Sequence, residues 1–458
     1  MPMRKYPLKI SGPVIIGLIM ALAGCANFLA IDKPLTQETP HQPLLSGGQT
    51  SNDLLVLLGF SGGGTRAAAF AYGVLKALDD TTVLTESGKQ SLLREVDIIS
   101  SVSGGSFTSA YYGLKGEKIF EEFEDRFLRK NVEGALIGKL FNPVNWVPLM
   151  SGIYGRSDMA AEYYGEHIFD HATFADLKRP GAPLVVINAT DLVTGMRIAF
   201  IPHIFDLMCI NLDAYPLARA VAASSAVPVL LTPVTIKNYA GACGYEPPGW
   251  LKEAANEDDD SSRKREANGL VGYLNQAERP WLHLVDGGIA DNLGLRAFYT
   301  PFSLTGDVHE TLRFLGISSV RHVLIISVNS FAEKKAKWSL LRDAPGIADV
   351  IQSISSDQIG RYNYDTLDIV RYSYDNWTKQ VSTPQQPVTF DFVEVSFNAV
   401  RDAEQRRALN EIGTNFDLGD EDVDLLITTA GQVVRESAEF QSFLQRTNGT
   451  IKPLRPDE

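Results

Sequence analysis

Four serines and two glycines crowd the stretch ISSVSGGSF at residues 99–107, which begins on the last residue of the run VDII. A serine becomes a useful nucleophile when a sharp turn pushes its hydroxyl out of the backbone, a base stands beside it, and amides wait for the oxyanion. Small neighbours allow such a turn, because a strand and the following helix must approach closely there. Ser101-Val102-Ser103-Gly104-Gly105 meets that need at two of the three specified positions of a G-x-S-x-G elbow, with Ser101 where the pattern has glycine. A flexible Gly/Ser loop is the competing reading, and this stretch alone favours it.

A second glycine cluster bears on the choice. Gly62-Gly63-Gly64 follows the apolar run DLLVLLGF and precedes TRAAAFAYGVLKALDD, which has a helical pattern. Amides at a helix N-terminus lack partners and attract negative charge. A nucleotide phosphate loop would end in Gly-Lys-Ser/Thr, whereas this one continues GTRAAA. A dinucleotide turn would place an acid at a strand end about 20 residues on, but Asp79 and Asp80 end a helix. The glycines therefore read as an oxyanion loop.

No base of the usual kind accompanies Ser103. None of the seven histidines stands in a triad setting, and His283 and Asp286 point to opposite faces of one strand. His167 and His171 have the i, i+4 spacing of a metal pair, yet no further ligand pattern accompanies them, and a solvated helix face is the better reading. Asp286 ends the strand WLHLVD and is followed by two glycines that let another group come near. An ordinary Asp-Gly surface turn is the plain alternative.

The elements that must position these residues read as apolar runs alternating with helical patterns. DLLVLLGF, VDIISSV, PLVVINATDL, WLHLVDGG and HVLIISVN are strands, separated by segments such as LARAVAASSAVP that read as helices. The expected class is α/β, with a largely parallel central sheet and helices on both faces. Residues 117–175 read as mostly helical and hold the apolar patch LFNPVNWVPLM, either an interfacial or acyl-chain surface (Phe141, Trp146, Val147, Leu149, Met150) or simply core. Residues 252–268 read as a mobile, charge-mixed insertion, and 331–458 as a mostly helical part completing the same domain.

Taken together and in this order, GGGTR at 62–66, SVSGG at 101–105 and DGG at 286–288 resemble the patatin-like phospholipases. NATDLVTG at 188–195, ASSAVPVLLTPV at 223–234 and DNLGL after the DGG support the resemblance, which spans roughly 53–330. It implies a patatin-like fold and a lipid acyl hydrolase working without cofactor or metal. Ser103 would be the nucleophile and Asp286 the base of a Ser-Asp dyad, with Gly62, Gly63 and Gly64 forming the oxyanion hole. Ser101 for the elbow glycine and Ala67 for the last glycine of the loop depart from the family pattern. Two other functions stand beside this one: a non-catalytic lipid- or partner-binding envelope protein, and a serine esterase or thioesterase acting on non-lipid esters.

The N-terminus adds an address. A basic start, MPMRKYPLK, precedes the short apolar run IIGLIMALAG, which reads as a secretion signal over 1–24. Leu22-Ala23-Gly24-Cys25 resembles a bacterial lipoprotein cleavage box, with Cys25 as the lipid anchor and 25–50 as a tether with little to pack. The expected location is the cell envelope, on the outer membrane or periplasmic face, with membrane lipid as substrate and support. In that compartment Cys209 and Cys243 either pair or remain two buried thiols. A net charge of −13 excludes nucleic acid as a main partner and a purely electrostatic hold on anionic lipid.

Overall fold

The computed structural model describes residues 53–453 except 87, 229, 334–341 and 343–345, together with 32–37, 42–45 and 51. Cys25 and the signal segment lie outside the described residues.

An eight-stranded sheet organises the chain. Its strands are β1 (Leu54–Phe60), β2 (Val96–Val102), β3 (Leu184–Asp191), β4 (Arg197–Ala199), β5 (Val234–Lys237), β6 (Trp281–Asp286), β7 (His322–Asn329) and β8 (Thr389–Ser396). The spatial order is β8-β7-β1-β2-β3-β6-β5, with β4 paired to β3. The first five of these strands run parallel, and β1 and β2 are buried at every residue, which is why β1 reads as an unbroken apolar run. β6 departs from the parallel expectation by running antiparallel to β3, with Asp286 opposite Ala189.

Helices cover both faces. One face carries α1 (Gly64–Asp79), α2 (Gly104–Lys115), α3 (Val132–Phe141), α4 (Arg156–His167) and α5 (Leu217–Ser224). Val56, Leu58, Phe60, Ile99 and Ile187 project into the core beneath these helices, with Phe107 stacked on Phe127. The insertion forms α6 (Gly249–Ala255) and α7 (Ser262–Val271), and the other face is closed by α8 (Arg296–Thr305), α9 (Val308–Leu315) and the long α10 (Ile347–Val381). Leu55, Leu57, Ile98, Val186 and Ile325 pack there against Phe298, Val308 and Leu367. Near the C-terminus α11 (Asp420–Glu436) returns to lie along α1, so closely that a Cβ on Gly73 would stand 2.4 Å from the carbonyl of Ile427.

Three expectations change. The insertion is not a mobile loop: Ser261 caps α7, Arg263 pairs with Glu257, and Leu251, Ala254, Ala267 and Leu270 are buried. Its charges belong to two helices and to the acidic turn between them, which composition alone cannot separate from a solvated loop. The tether also packs where it is described. Pro34 bridges to Ile210, Lys33 and Leu35 exchange backbone hydrogen bonds with Asn211 and Cys209, and Leu45 is buried beside Leu315. The C-terminal part contributes a sheet strand as well as helices, because β8 pairs residue for residue with β7. Cys209 and Cys243 form a disulfide, with Cα atoms 5.6 Å apart.

Candidate active site

Register brings the predicted pair together. Val102, the last residue of β2, stands opposite Asn188 of β3, and Asp286 of β6 stands opposite the next residue, Ala189. Ser103 and Asp286 thus leave two strands that flank the same point of β3. The Ser103 hydroxyl donates to Asp286 Oδ2 at 2.8 Å, and the Gly288 N–H donates to Oδ1 at 2.8 Å.

Ser103 occupies a strained turn. Its φ of 49° and ψ of −121° lie where an L-residue rarely rests, a conformation costing about 1–3 kcal/mol that the surroundings must hold. The Ser224 hydroxyl does much of the holding. It accepts the Ser103 N–H at 2.8 Å and itself donates to the Asn188 carbonyl at 2.6 Å. Gly104 and Gly105 are required by contact: a Cβ on Gly104 would lie 1.9 Å from the Gly64 carbonyl, and one on Gly105 would lie 2.7 Å from that of Ser61. Ser101 is accommodated because its hydroxyl meets the Ser109 hydroxyl at 2.6 Å, inside the turn rather than against it. Ala67 is likewise buried without displacing the loop.

The glycine loop lies directly against Ser103. A Cβ on Gly62 would come within 3.3 Å of the Ser103 Cβ, and Gly63 and Gly64 have φ of 141° and 63°, conformations that favour glycine. Gly62 does not serve as expected, because its N–H donates to the Asn292 carbonyl at 3.0 Å. The N–H groups of Gly63 and Gly64 have no protein acceptor among the described residues, and Thr65 is held by the Asn415 carbonyl at 2.9 Å. Gly104, first residue of α2, adds an unpartnered amide on the other side, at the positive end of that helix.

Asp286 lies between opposing influences. Burial pushes its carboxyl from an ordinary 3.8 up to about 6, while the Gly288 amide and the Ser103 hydroxyl pull it back down. A carboxylate so raised is a better base than an exposed aspartate. No histidine touches either residue among the described residues. His283 Nδ1 is bonded to Thr235, and His322 Nδ1 to Thr389. α4 ends at His167, so His171 does not share its face, and the i, i+4 pair has no helix to hold it.

Two site residues escaped the sequence reading. Ser224 sits in ASSAVP and Asn292 in DNLGL, both noted only as supporting segments. The Asn292 side chain reaches the gap between the loop and Gly288, where its Oδ1 would be 2.8 Å from a Cβ on Gly62, and its buried Nδ2 has no partner among the described residues. An apolar cavity of about 90 Å³ exists elsewhere, lined by Ile98, Val186, Trp250 and Leu270. It opens on the far sheet face and contains neither member of the pair.

The sequence profile of the family described as patatin-like phospholipase matches residues 58–299, which include Ser103 and Asp286. No curated protein matches the chain. Among solved structures, the chain is similar to human GIVD cytosolic phospholipase A2, at 12% identity and a TM-score of 0.42, over 86% of this chain and 62% of the human one. It therefore spans about six-tenths of the length of that relative. A second similar structure is the type III effector protein ExoU, at 14% identity and a TM-score of 0.22, over 87% of this chain and 75% of the effector. With its profile matched over more than half its length, the chain belongs to the patatin-like phospholipase family.

Proposed function

We propose that the protein is a lipid acyl hydrolase that cleaves fatty-acyl esters through an acyl-enzyme. The observation that carries the reading is the 2.8 Å hydrogen bond from the strained Ser103 hydroxyl to Asp286. As Ser103 Oγ bonds to the ester carbonyl carbon, its proton passes to Asp286 Oδ2. The carbonyl oxygen becomes an oxyanion facing the amides of Gly63, Gly64 and Gly104, whose donors are fixed before the reaction begins. Collapse breaks the ester C–O bond, and Asp286 returns the proton to the departing alkoxide. Water then attacks the acyl-serine, giving its proton to Asp286, and the fatty acid leaves as Ser103 is reprotonated.

The envelope address belongs to the same proposal. Cys25 would carry the lipid anchor, which places the enzyme beside its substrate at the periplasmic or outer membrane face. The Cys209–Cys243 disulfide supports an oxidising compartment. Among the described residues no helix is long and apolar enough to cross a membrane. The test is hydrolysis by purified protein of a panel of phospholipids, lysolipids and short esters, with Ser103→Ala as control. Release of fatty acid from lipids, lost in the variant, supports the reading. Turnover of non-lipid esters alone, or no serine-dependent turnover at all, removes it.

A further inference from the structure

Residues 140–155, LFNPVNWVPLMSGIYG, contain no charged side chain over sixteen consecutive positions. In the structure most of them stay out of the core, Tyr154 alone being buried among the described residues. Phe141 is 72% exposed, Val144 78%, Val147 62% and Met150 86%, with Ile137, Trp146 and Ile153 also exposed. Contiguous apolar exposure on this scale marks an interaction surface. Several of the segment's polar groups are meanwhile turned onto its own or the adjoining backbone, and the Tyr154 hydroxyl onto Glu162. Trp146 Nε1 and Asn145 Nδ2 donate to the carbonyls of Leu140 and Lys139, Asn142 Oδ1 accepts the Val144 N–H, and Ser151 Oγ accepts those of Ile153 and Tyr154. Such self-satisfaction is what a surface needs if it is to leave water without stranding donors.

Both ends of this excursion are tied to the rim of the Ser103 site. At its start, the N–H groups of Val132 and Glu133 donate to the Phe416 carbonyl, and Asn131 donates to Asp417. The adjacent Asn415 carbonyl covers the glycine loop, accepting the Thr65 N–H. At its finish, Gly155 packs on Thr232, and Ser157 bonds to the same residue through both its N–H and its hydroxyl. Thr232 belongs to the short loop after α5, in which the Ala226 carbonyl holds the Asp286 N–H. Ser103 itself is only 4% exposed, so substrate does not reach it across an open surface.

We propose that residues 137–153 insert into the interfacial layer of a lipid bilayer and thereby set the mouth of the site against bilayer-resident lipid. This rests on the hydrolase reading above. Hydrophobic insertion drives the contact, since the chain carries a net charge of −13 and gains nothing from anionic headgroups. A zwitterionic bilayer is therefore sufficient.

The experiment uses the full chain reconstituted in phosphatidylcholine vesicles, with and without brominated acyl chains, and compares Trp146→Phe with wild type. Bromine quenching of the Trp146 contribution places the indole in the membrane whatever the N-terminal anchor does. A triple variant, Phe141→Asp with Val144→Asp and Met150→Asp, is assayed on vesicle phospholipid and on a short soluble ester. Expected are a brominated-lipid quench that Trp146→Phe removes, a fall in vesicle turnover of about tenfold or more, and unchanged turnover of the soluble ester. Equal quenching of Trp146→Phe and wild type, or equal vesicle turnover by the triple variant, overturns the proposal. Light scattering that shows a dimer abolished by the same three changes also overturns it, by assigning the surface to a second copy. Quenching without hydrolysis of any ester would instead sink the hydrolase reading and leave the membrane contact standing.

Discussion

Replacing Asp286 with asparagine should abolish turnover and at the same time stabilise the protein at neutral pH. The folded state holds this carboxyl near 6, against 3.8 for the same group in an open chain. Because the folded value is the higher one, the stabilising contribution is complete below about pH 4 and is lost as pH rises through 6. The gap between 3.8 and about 6 is worth about 3 kcal/mol at pH 7, at about 1.36 kcal/mol per unit, and only a small fraction of that at pH 4. Asparagine has nearly the same shape, keeps an acceptor for the Gly288 N–H and never ionises. Its stability relative to wild type should therefore grow by about 2–3 kcal/mol between pH 4 and pH 7. For a chain of this size that corresponds to about 3 °C in melting temperature. Denaturant melts of both proteins at pH 4, 5, 6 and 7 read the difference directly. A difference independent of pH would refute the reasoning, because it would mean that burial does not hold the Asp286 carboxyl above its ordinary range.

Other outcomes follow from the same geometry. Turnover of a soluble ester should rise with an apparent pKa of about 6 as Asp286 ionises, and a profile flat from pH 4 to 8 would remove it as the base. Ser224→Ala strands the buried Ser103 N–H and should cost about 1–3 kcal/mol of stability, with kcat falling more than KM rises; a kcat equal to wild type would show that the turn holds itself. Gly104→Ala forces a Cβ to 1.9 Å from the Gly64 carbonyl and should eliminate activity or folding, whereas active, normally stable protein would contradict the packing of the two glycine segments. Cys25→Ser should prevent lipidation, read by mass spectrometry of the mature N-terminus; an unmodified Cys25 in wild-type protein would end the anchor proposal.

Strand ends marked by glycines offered Ser103 and Asp286 only as separate candidates, and it was the order of the three motifs, through the family resemblance, that joined them as a pair. The sequence did not reveal that β6 runs antiparallel, since an apolar run has no direction. That direction nonetheless places Asp286 opposite Ala189 and within reach of Ser103. Gly62 was misjudged as an oxyanion donor for a related reason. Three consecutive glycines look equivalent in sequence, and only the approach of Asn292, distant along the chain, takes up one of their amides. Ser224 was invisible as a support because a helix-ending serine before Ser-Ala-Val-Pro has no local signal of what its hydroxyl will meet. The charged insertion was misread for want of its partners: Leu251, Ala254, Ala267 and Leu270 are few among many polar residues, and their burial depends on the surfaces they cover.

The central claim is that Ser103, activated by Asp286 alone, is the nucleophile. Its most direct test is covalent labelling of the full chain with an alkyl fluorophosphonate, followed by peptide mass spectrometry, in wild type, Ser103→Ala, Asp286→Asn and His283→Ala. The account predicts one adduct, on Ser103, in wild type and in His283→Ala at similar rates. Labelling should be absent in Ser103→Ala and slowed by about a hundredfold or more in Asp286→Asn. An adduct on another serine, or labelling of Ser103 that survives Asp286→Asn unchanged while His283→Ala removes it, would contradict the account.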